Sequence, residues 1–387
     1  MNASSWSLGL ALVTLAVYVW MGLALARGNR ALARLAQIEP LPPTAPHPRV
    51  SVIIPARNEE ATIARALRAV LAQDYPDYEV LVLNDRSIDG TGRVLEAAAR
   101  EQSRLRVIHI SALPDGWLGK NHALCEGAKQ ATGQILLFAD ADVVMAPSTL
   151  SRAVSHLTTH RLDHLTAVPH VLTPGLWLEL FVGAFSIFFA LFYQTWKARD
   201  PKSPRYVGIG AFNMVRGEVY RAIGTHRAIA LRPDDDMMLA KLIKRARFHA
   251  DVLLGMEMIE VQWYASLGDL VRGLEKNAFA GLNYEIPAVI ASLLLQLSLQ
   301  VWPFIAVLVT SGPVRWVNAL VVAVVIAMCA DNARFHGLRP WIGVTFPAAS
   351  LIMSWILVRS TVVTLVSGGI TWRGTHYPLD ALRANQV

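Results

Sequence analysis

The residues of this sequence best suited to chemistry are aspartates, and two of them, Asp140 and Asp142, close an apolar run from Ile135 to Ala139. Such a run reads as a short buried strand. A buried strand carries charge only where it leaves its sheet, and in open α/β sheets that carboxyl edge is where ligands bind. Two carboxylates one residue apart repel each other unless a cation sits beside them. Oxygen-only donors suit a hard divalent ion, Mg2+ or Mn2+, which would bridge to a diphosphate. Taken alone, the pair also fits a polar loop after a strand.

A second acidic cluster, Asp234, Asp235 and Asp236, opens an amphipathic stretch. Helix capping accounts for one acid of the three. A hydroxyl is a poor nucleophile at neutral pH, and a carboxylate placed to take its proton makes transfer to it feasible. Asp236 is the candidate base, with Asp235 next.

Other motifs gather around these. Pro55-Ala-Arg-Asn-Glu-Glu60 and Asn84-Asp-Arg-Ser-Ile-Asp-Gly-Thr91 follow the first two expected strands. Asp85 could accept hydrogen bonds from a base or ribose, and Arg57 could meet a phosphate. Asp89 also reads as a helix cap. In Gly116-Trp-Leu-Gly-Lys-Asn-His122 a Gly–Lys pair opens a helix, an anion site in the making, with Lys120 set to touch the diphosphate. The spacing of a Walker A loop is absent, and a solvated lysine near a helix start would look alike. Val207-Gly-Ile-Gly-Ala-Phe-Asn213 is small enough to let backbone approach an acceptor, through Gly210, Ala211 and Phe212, or to form a tight turn. Arg272 and Lys276, four apart, share a helix face that suits phosphates or a membrane surface.

The elements that must position these residues alternate. Strands are expected at 50–54, 78–83, 105–110, 134–139 and 165–169, and helices at 59–72, 89–101, 121–131 and 147–157. Alternating βα units imply a mostly parallel, doubly wound α/β sheet. Around it lie apolar runs. Ser7 to Ala26 is long enough to span a bilayer, and Arg27, Arg30 and Arg34 follow it. A cleaved signal would carry its positive charge first. An uncleaved anchor with the arginines in the cytoplasm is expected instead. Residues 175–196 are expected as a helix in the membrane interface, because a crossing there would separate Asp140 from the acid triplet. Residues 286–310, 316–330 and 341–366 read as transmembrane helices, with Pro303 a kink and Arg359 a charge in need of a partner. The expected organisation is an anchor over 1–27, a basic and proline-rich linker over 28–48, a catalytic domain over 49–283, membrane helices over 284–368 and a tail over 369–387.

Composition agrees. At 53% hydrophobic, with a mean hydropathy of +0.37, the 387-residue chain is too apolar for an ordinary soluble enzyme, and 17% charged is too polar for a pure helix bundle. The formal charge of +7 favours an anionic leaflet and anionic substrates. No aromatic platform or basic helix for nucleic acid stands out. Two cysteines, Cys125 and Cys329, give no disulfide framework or metal spacing.

In this order the motifs P-A-R-N-E-E, N-D-x-S-x-D-G-T, G-W-x-G-K-N, D-A-D, G-x-G-A-F-N and D-D-x-x-L resemble membrane-bound family 2 glycosyltransferases, over residues ~50–285 and with family-like flanks to Tyr377. The bacterial group that includes carotenoid- and hopanoid-associated enzymes is the nearer match, ceramide glucosyltransferase the more distant. The resemblance implies a GT-A fold, with a Rossmann-like sheet, and an inverting, metal-dependent transfer. The donor would be a UDP- or GDP-linked sugar and the acceptor a membrane lipid. It implies nucleotide-sugar binding by Pro55, Arg57, Glu59, Asp85, Lys120 and Asp140, metal binding by Asp140 and Asp142, and Asp236 as base. It implies a multi-pass membrane protein with a cytoplasmic catalytic domain. The Q-x-x-R-W signature of processive synthases is missing; Gln262-Trp-Tyr-Ala-Ser266 stands in about that region. The alternatives are a processive polysaccharide synthase and a catalytically silent membrane binding protein.

Overall fold

The computed structural model describes residues 3–42 and 44–385. In chain order the helices are α1 (Ala3–Ala31), α2 (Ile63–Leu71), α3 (Thr91–Glu101), α4 (Gly119–Gln130), α5 (Thr149–Thr159), α6 (Leu176–Tyr193), α7 (Gly217–Ala222), α8 (Asp235–Arg245), α9 (Leu267–Ala278), α10 (Ile286–Gln296), α11 (Trp302–Val309), α12 (Gly312–Phe335), α13 (Phe346–Val366) and α14 (Leu379–Ala384). The strands are β1 (Val50–Ala56), β2 (Tyr78–Asp85), β3 (Leu105–Ile110), β4 (Ile135–Phe138), β5 (Val144–Met145), β6 (His164–Val168), β7 (His170–Val171), β8 (Asn213–Arg216), β9 (Ala250–Leu254), β10 (Ile259–Val261), β11 (Gly369–Trp372) and β12 (Thr375–Pro378). They fall into two units. One takes the chain up to Ala31, then Thr173–Gln194 and Tyr264–Leu379; the other takes Leu32–Leu172, Thr195–Trp263 and the chain from Asp380.

The second unit is built on a seven-stranded sheet in the order β3-β2-β1-β4-β8-β6-β9. β2, β1 and β4 pair in parallel, as do β6 and β9; β8 pairs antiparallel to both β4 and β6. The central strands are buried along almost their whole length, as a sheet covered on both faces requires. β3 lies at the edge and exposes Arg106 and His109. α2 buries Ile63, Ala66, Leu67 and Val70, the i, i+3, i+4, i+7 stripe of a helix lying on a sheet. The expected α/β architecture is present. The sheet has two strands beyond those the sequence suggests, β8 and β9. Both are short runs of four and five residues that include a charged residue, so their burial comes from the neighbours they find in space rather than from local pattern.

The helical unit contains α1, α6, α9 to α13 and the β11–β12 hairpin. Among the described residues, five helical stretches are long and apolar enough to cross a membrane: Trp6–Ala31, Leu176–Lys197, Ile286–Val309, Gly312–Phe335 and Pro340–Val366. Pro303 does interrupt the third. It lacks an amide hydrogen, and its ring disturbs the carbonyl of Leu299, four residues earlier. The backbone widens into a π turn over Leu297–Val301, and the Leu299 carbonyl accepts a hydrogen bond from the Tyr18 hydroxyl of α1 at 3.1 Å. Arg359 has a partner: its guanidinium bonds Glu275 of α9.

Candidate functional site

The site assembles where the parallel strands end. Just beyond the ends of β1 and β2 the chain takes left-handed backbone, at Asn58 (φ 57°) and Arg86 (φ 53°), both unusual for side chains other than glycine. The loops they open are laced together. The Asn58 amide donates to Ser87 Oγ (3.0 Å), and Ile88 N–H donates to Asn58 Oδ1 (2.9 Å). The Glu59 amide donates to Thr91 Oγ1 (2.7 Å), and Glu60 N–H donates to Asp89 Oδ2 (3.2 Å). The residues expected to start α2 early are used in this lacing, and α2 begins only at Ile63. Asp89 serves the loop: it accepts from the amide and hydroxyl of Thr91, the first residue of α3.

Asp85, the last residue of β2, is 3% exposed. Arg86 grips both its oxygens, at 2.7 and 2.9 Å, and Arg57 stands 3.9 Å away. A Cβ built on Gly119, at the start of α4, would lie 2.6 Å from Asp85 Oδ2, so the carboxylate abuts that helix terminus. Lys120 is the next residue. Its ammonium lies 2.9 Å from Asp140 Oδ1 and 3.3 Å from Asp235 Oδ1. The lysine therefore joins the acid at the end of β4 to the acid cluster at the start of α8.

The antiparallel β8 brings in the glycine loop. Because it runs against β4, with Asn213 opposite Phe138, the residues preceding it arrive at the carboxyl edge. Asp140 N–H donates to the Gly210 carbonyl (3.1 Å), and Gly210 N–H donates to Asp236 Oδ2 (2.7 Å). A side chain at Gly210 would come within 2.7 Å of Asp140 Oδ2, and one at Gly208 would overlap the Asp236 carbonyl. Both glycines are needed for close approach rather than for flexibility. Ala211 and Phe212 face the other way, into the hydrophobic core, at 5% and 0% exposure. Pro55 is partly buried inside β1, opposite Leu83. Of the acid triplet, Asp234 is held by Arg232 through two bonds of 2.8 Å, while Asp235 and Asp236 face Lys120 and Gly210.

The electrostatics follow from this crowding. Burial, then the charges of Asp140 and Glu59, push the Asp142 carboxyl up to about 7. Burial, then the neighbouring Asp235, push Asp236 up to about 7 as well. Burial acts to lower Lys120, but the charges of Asp140, Asp235 and Asp236 outweigh it and raise the ammonium above its usual range. His226, beneath the lysine, is pushed down to about 3 by burial and by the Lys120 charge, and is neutral. These acids outweigh the bases beside them, so the cleft has a deficit of positive charge. A divalent cation fits that deficit and the oxygen-only donors Asp140 and Asp142. Among the described residues no group of three or more His, Cys, Asp or Glu is set to hold a metal. A hard cation here would draw its remaining ligands from phosphate and water, the usual manner of Mg2+.

Several contributors escaped the sequence reading. Arg86 is the main partner of Asp85. Asn121 Nδ2 donates to the carbonyls of Ile229 (2.8 Å), Ala230 (3.2 Å) and Arg232 (2.9 Å), pinning the approach to the triplet onto α4. Asn213 bonds the buried His164 (2.6 Å). Arg86 and Asn121 adjoin flagged residues, and that adjacency was the available signal. Arg272 and Lys276 lie in the helical unit, Arg272 paired with Asp269 and Lys276 over the Trp372 ring at 3.4 Å.

The sheet gathers acids at its carboxyl edge, from the ends of β2 and β4 and the start of α8, as an enzyme site would, and comparison with known proteins places this domain among the glycosyltransferases. Residues 51–224 match the model of glycosyl transferase family 2, so the chain carries a domain of that family. The chain is 23% identical over 341 residues to 4,4'-diaponeurosporenoate glycosyltransferase of Staphylococcus aureus (strain USA300), covering 86% of this chain and 89% of the relative. The protein of that name from the bovine strain RF122 / ET3-1 is 22% identical over 344 residues. The fold is shared with a solved structure of the mannosyltransferase PcManGT from Pyrobaculum calidifontis in complex with GDP-Man and Mn2+. The TM-score is 0.56 at 19% identity, covering 93% of this chain and 99% of that one.

Proposed function

We propose that the chain moves one sugar, with inversion, from a UDP- or GDP-linked donor to a hydroxyl or carboxyl group of a membrane lipid, and that the reaction is metal dependent. The observation that carries this reading is the placement of Asp236 across Gly210 from Asp140 at one sheet edge, with Lys120 joining Asp140 to the adjacent Asp235. A base and a diphosphate-binding acid must face each other across the reacting carbon. The relative's name supports a lipid-type acceptor, and the Mn2+ and GDP-Man in the similar structure support the donor class.

In this reading Asp85, steadied by Arg86, binds the base or ribose, and Arg57, Glu59 and the partly buried Pro55 shape that pocket. Asp140 and Asp142 hold the divalent ion, which when bound neutralises charge growing on the leaving diphosphate. As the acceptor oxygen bonds the anomeric carbon, the bond from that carbon to the diphosphate oxygen breaks. Where the acceptor is a hydroxyl, its proton passes to Asp236. Asp236 suits the task better than Asp235. The Lys120 ammonium pairs with Asp235 at 3.3 Å, whereas burial raises Asp236 to about 7 and the Gly210 and Met237 amides aim it (2.7 and 2.8 Å). Lys120 keeps Asp140 and Asp235 from repelling one another and offers its charge to the diphosphate. Backbone of the Gly210 loop, with Ala211 and Phe212 as its buried foot, lines the acceptor side.

We further propose an anchor over 1–27, a linker over 28–48 and a cytoplasmic catalytic domain over 49–283, with membrane-associated helices over 284–368 and a tail beyond. The arginines behind α1 support that orientation. The test is transfer from labelled UDP- and GDP-sugars to extracted membrane lipids, with and without Mn2+ or Mg2+. A single-sugar glycolipid that disappears with chelator and in Asp140→Ala is expected. A long polymer, or no transfer to any lipid fraction, would sink the proposal.

A further inference from the structure

The chain path limits how many apolar helices can cross a bilayer. β4 precedes α6 and β8 follows it, yet the two strands are neighbours in one sheet. α6 therefore begins and ends on the catalytic side and does not cross. The stretch from Tyr264 to Leu379 also begins and ends on that side. Trp263 before it and Asp380 after it both belong to the catalytic unit. There Asn385 Oδ1 accepts from Leu231 N–H (2.9 Å) and Asn385 Nδ2 donates to the Ala228 carbonyl (3.3 Å). That stretch crosses an even number of times, but it holds three candidate spans, so at least one of them does not cross.

Contacts within the helical unit say which. Arg30 pairs with Asp331 (2.6 Å) and Asn29 Nδ2 donates to Asn332 Oδ1 (3.1 Å), so the ends of α1 and α12 lie at one level. α1 leads straight into Leu32 of the catalytic unit, so α12 ends on the catalytic side. The turn before α13 stays there. Arg339 N–H donates to Glu179 Oε1 (3.0 Å) in the first turn of α6, and Leu180, Ala333 and Ile342 pack as one cluster. The far part of α13 is on that side too: Arg359 and Ser360 both bond Glu275 of α9, a helix that begins soon after Trp263. The surface of α13 suits a helix lying flat. Leu351, Trp355, Val358 and Val362 form an exposed apolar stripe at i, i+4, i+7, i+11. Ser350, Ser354, Leu357, Thr361 and Thr364 form a buried stripe beside it.

We infer that α13 does not cross the bilayer. With α6 and α9 it lies among the lipids of the leaflet on the catalytic side, and the crossing helices are α1, the α10–α11 pair and α12. A crossing α13 would put either Arg334 and Arg339 or Arg373 and Arg383 on the far side. In the inferred arrangement all of them join Arg27, Arg30 and Arg34, and Arg315 alone of the flanking arginines is outside, as the bias of basic residues toward the cytoplasm favours.

This inference rests on the membrane reading proposed above, and cysteine labelling separates the two. Ser311→Cys, Arg334→Cys and Ala384→Cys are made singly in the full chain, whose own Cys125 and Cys329 are buried. Each is treated with an impermeant maleimide in right-side-out and inside-out vesicles. Arg334→Cys and Ala384→Cys are expected to label from the same face and Ser311→Cys from the other. Labelling of Arg334→Cys and Ala384→Cys from opposite faces would mean that α13 crosses, and would overturn the inference while leaving the membrane reading intact. Arg334→Cys and Ser311→Cys labelling from one face would overturn it too, since α12 would not cross. Release of the protein from membranes by carbonate would refute both.

Discussion

The acid cleft and the helical unit treat polar groups in opposite ways. Around Asp140 and Asp236, carboxylates are crowded with too few cations, and two of them titrate near 7. Among the helices, polar side chains mostly come with a protein partner: Asn29 with Asn332, Asn332 with Ser186, Ser354 with Gln296, Arg359 with Glu275. Lipid, the surroundings proposed for these helices, offers no hydrogen bonds, so a polar group there is satisfied by protein or is costly. In the proposed reaction a substrate and an ion fill the deficit that the cleft leaves open. Unsatisfied charge thus marks where this chain works, and satisfied charge where it is merely held together. Function and stability should then respond oppositely to substitution in the two regions.

The sharpest break would come at Asp236. Asp236→Asn should lower kcat by roughly a thousandfold, as loss of a positioned base does. It should also raise the melting temperature at neutral pH. The sign follows from linkage. The folded carboxyl titrates about 7, above the ordinary value of 3.8, so its ionisation costs stability that is lost as pH rises from about 4 through 7. Removing the charge restores that stability above pH 7 and changes nothing below pH 4. Melting curves across this range, with activity on the same samples, decide it. An inactive variant that is also less stable would mean that Asp236 is structural.

Gly210→Ala comes next. The added methyl would press on Asp140 Oδ2 at 2.7 Å and crowd Lys120 at 3.3 Å. Activity should fall about a hundredfold, as misplacement of about 1 Å at a reacting site does, with a modest loss of stability. Smaller again is a shift in pH profile. The acid limb of kcat/KM should lie near or below 7, since a bound cation favours the charged carboxylate. Asp235→Asn removes the neighbour that raises Asp236 most after burial, so the limb should move down. A limb that moves up would contradict the proposed base.

How much of this could be read from the sequence depends on the range over which each residue acts. β1, β2 and β4 were legible because a strand buried on both faces must be a continuous apolar run, and Asp85 and Asp140 because charge marks where such a run ends. β8 was not. Asn-Met-Val-Arg is four residues with no period of its own, and it becomes a strand because β4 and β6 leave a gap for it. Missing it hid why the 207–212 loop reaches the cleft, and why Phe212 points into the core while Gly210 meets Asp140 and Asp236. Likewise Asn121 looks like an ordinary first-turn residue; its three carbonyl partners lie more than a hundred positions away. Hydropathy marks α13 as long and apolar enough to span, and it carries no information on where the ends of the helix are tied.

In the helical unit the expected pattern reverses, with stability lost and turnover kept. Arg359→Met leaves Glu275 without its partner and should lower the melting temperature in detergent, while turnover per folded molecule is unchanged. Adding Glu275→Gln should recover much of the loss, because replacing both members of a pair is less costly than stranding one. Turnover that falls together with stability would show that the pair also serves the reaction.

The smallest effect is expected at Tyr18. Tyr18→Phe keeps the ring and removes the hydroxyl that satisfies the Leu299 carbonyl beside the Pro303 break. Hydrogen bonds between membrane helices contribute on the order of 0.6 kcal/mol on average, so a small drop in melting temperature and full turnover are expected. A second substitution sharpens the reading. Pro303→Ala restores an amide hydrogen at the position whose absence freed that carbonyl. Once the helix can satisfy Leu299 itself, the hydroxyl is redundant, and Tyr18→Phe should cost less in the Pro303→Ala background than in the parent chain. Equal costs in both backgrounds would show that Tyr18 acts through packing alone, and would weaken the rule that polar groups among these helices are there to be satisfied.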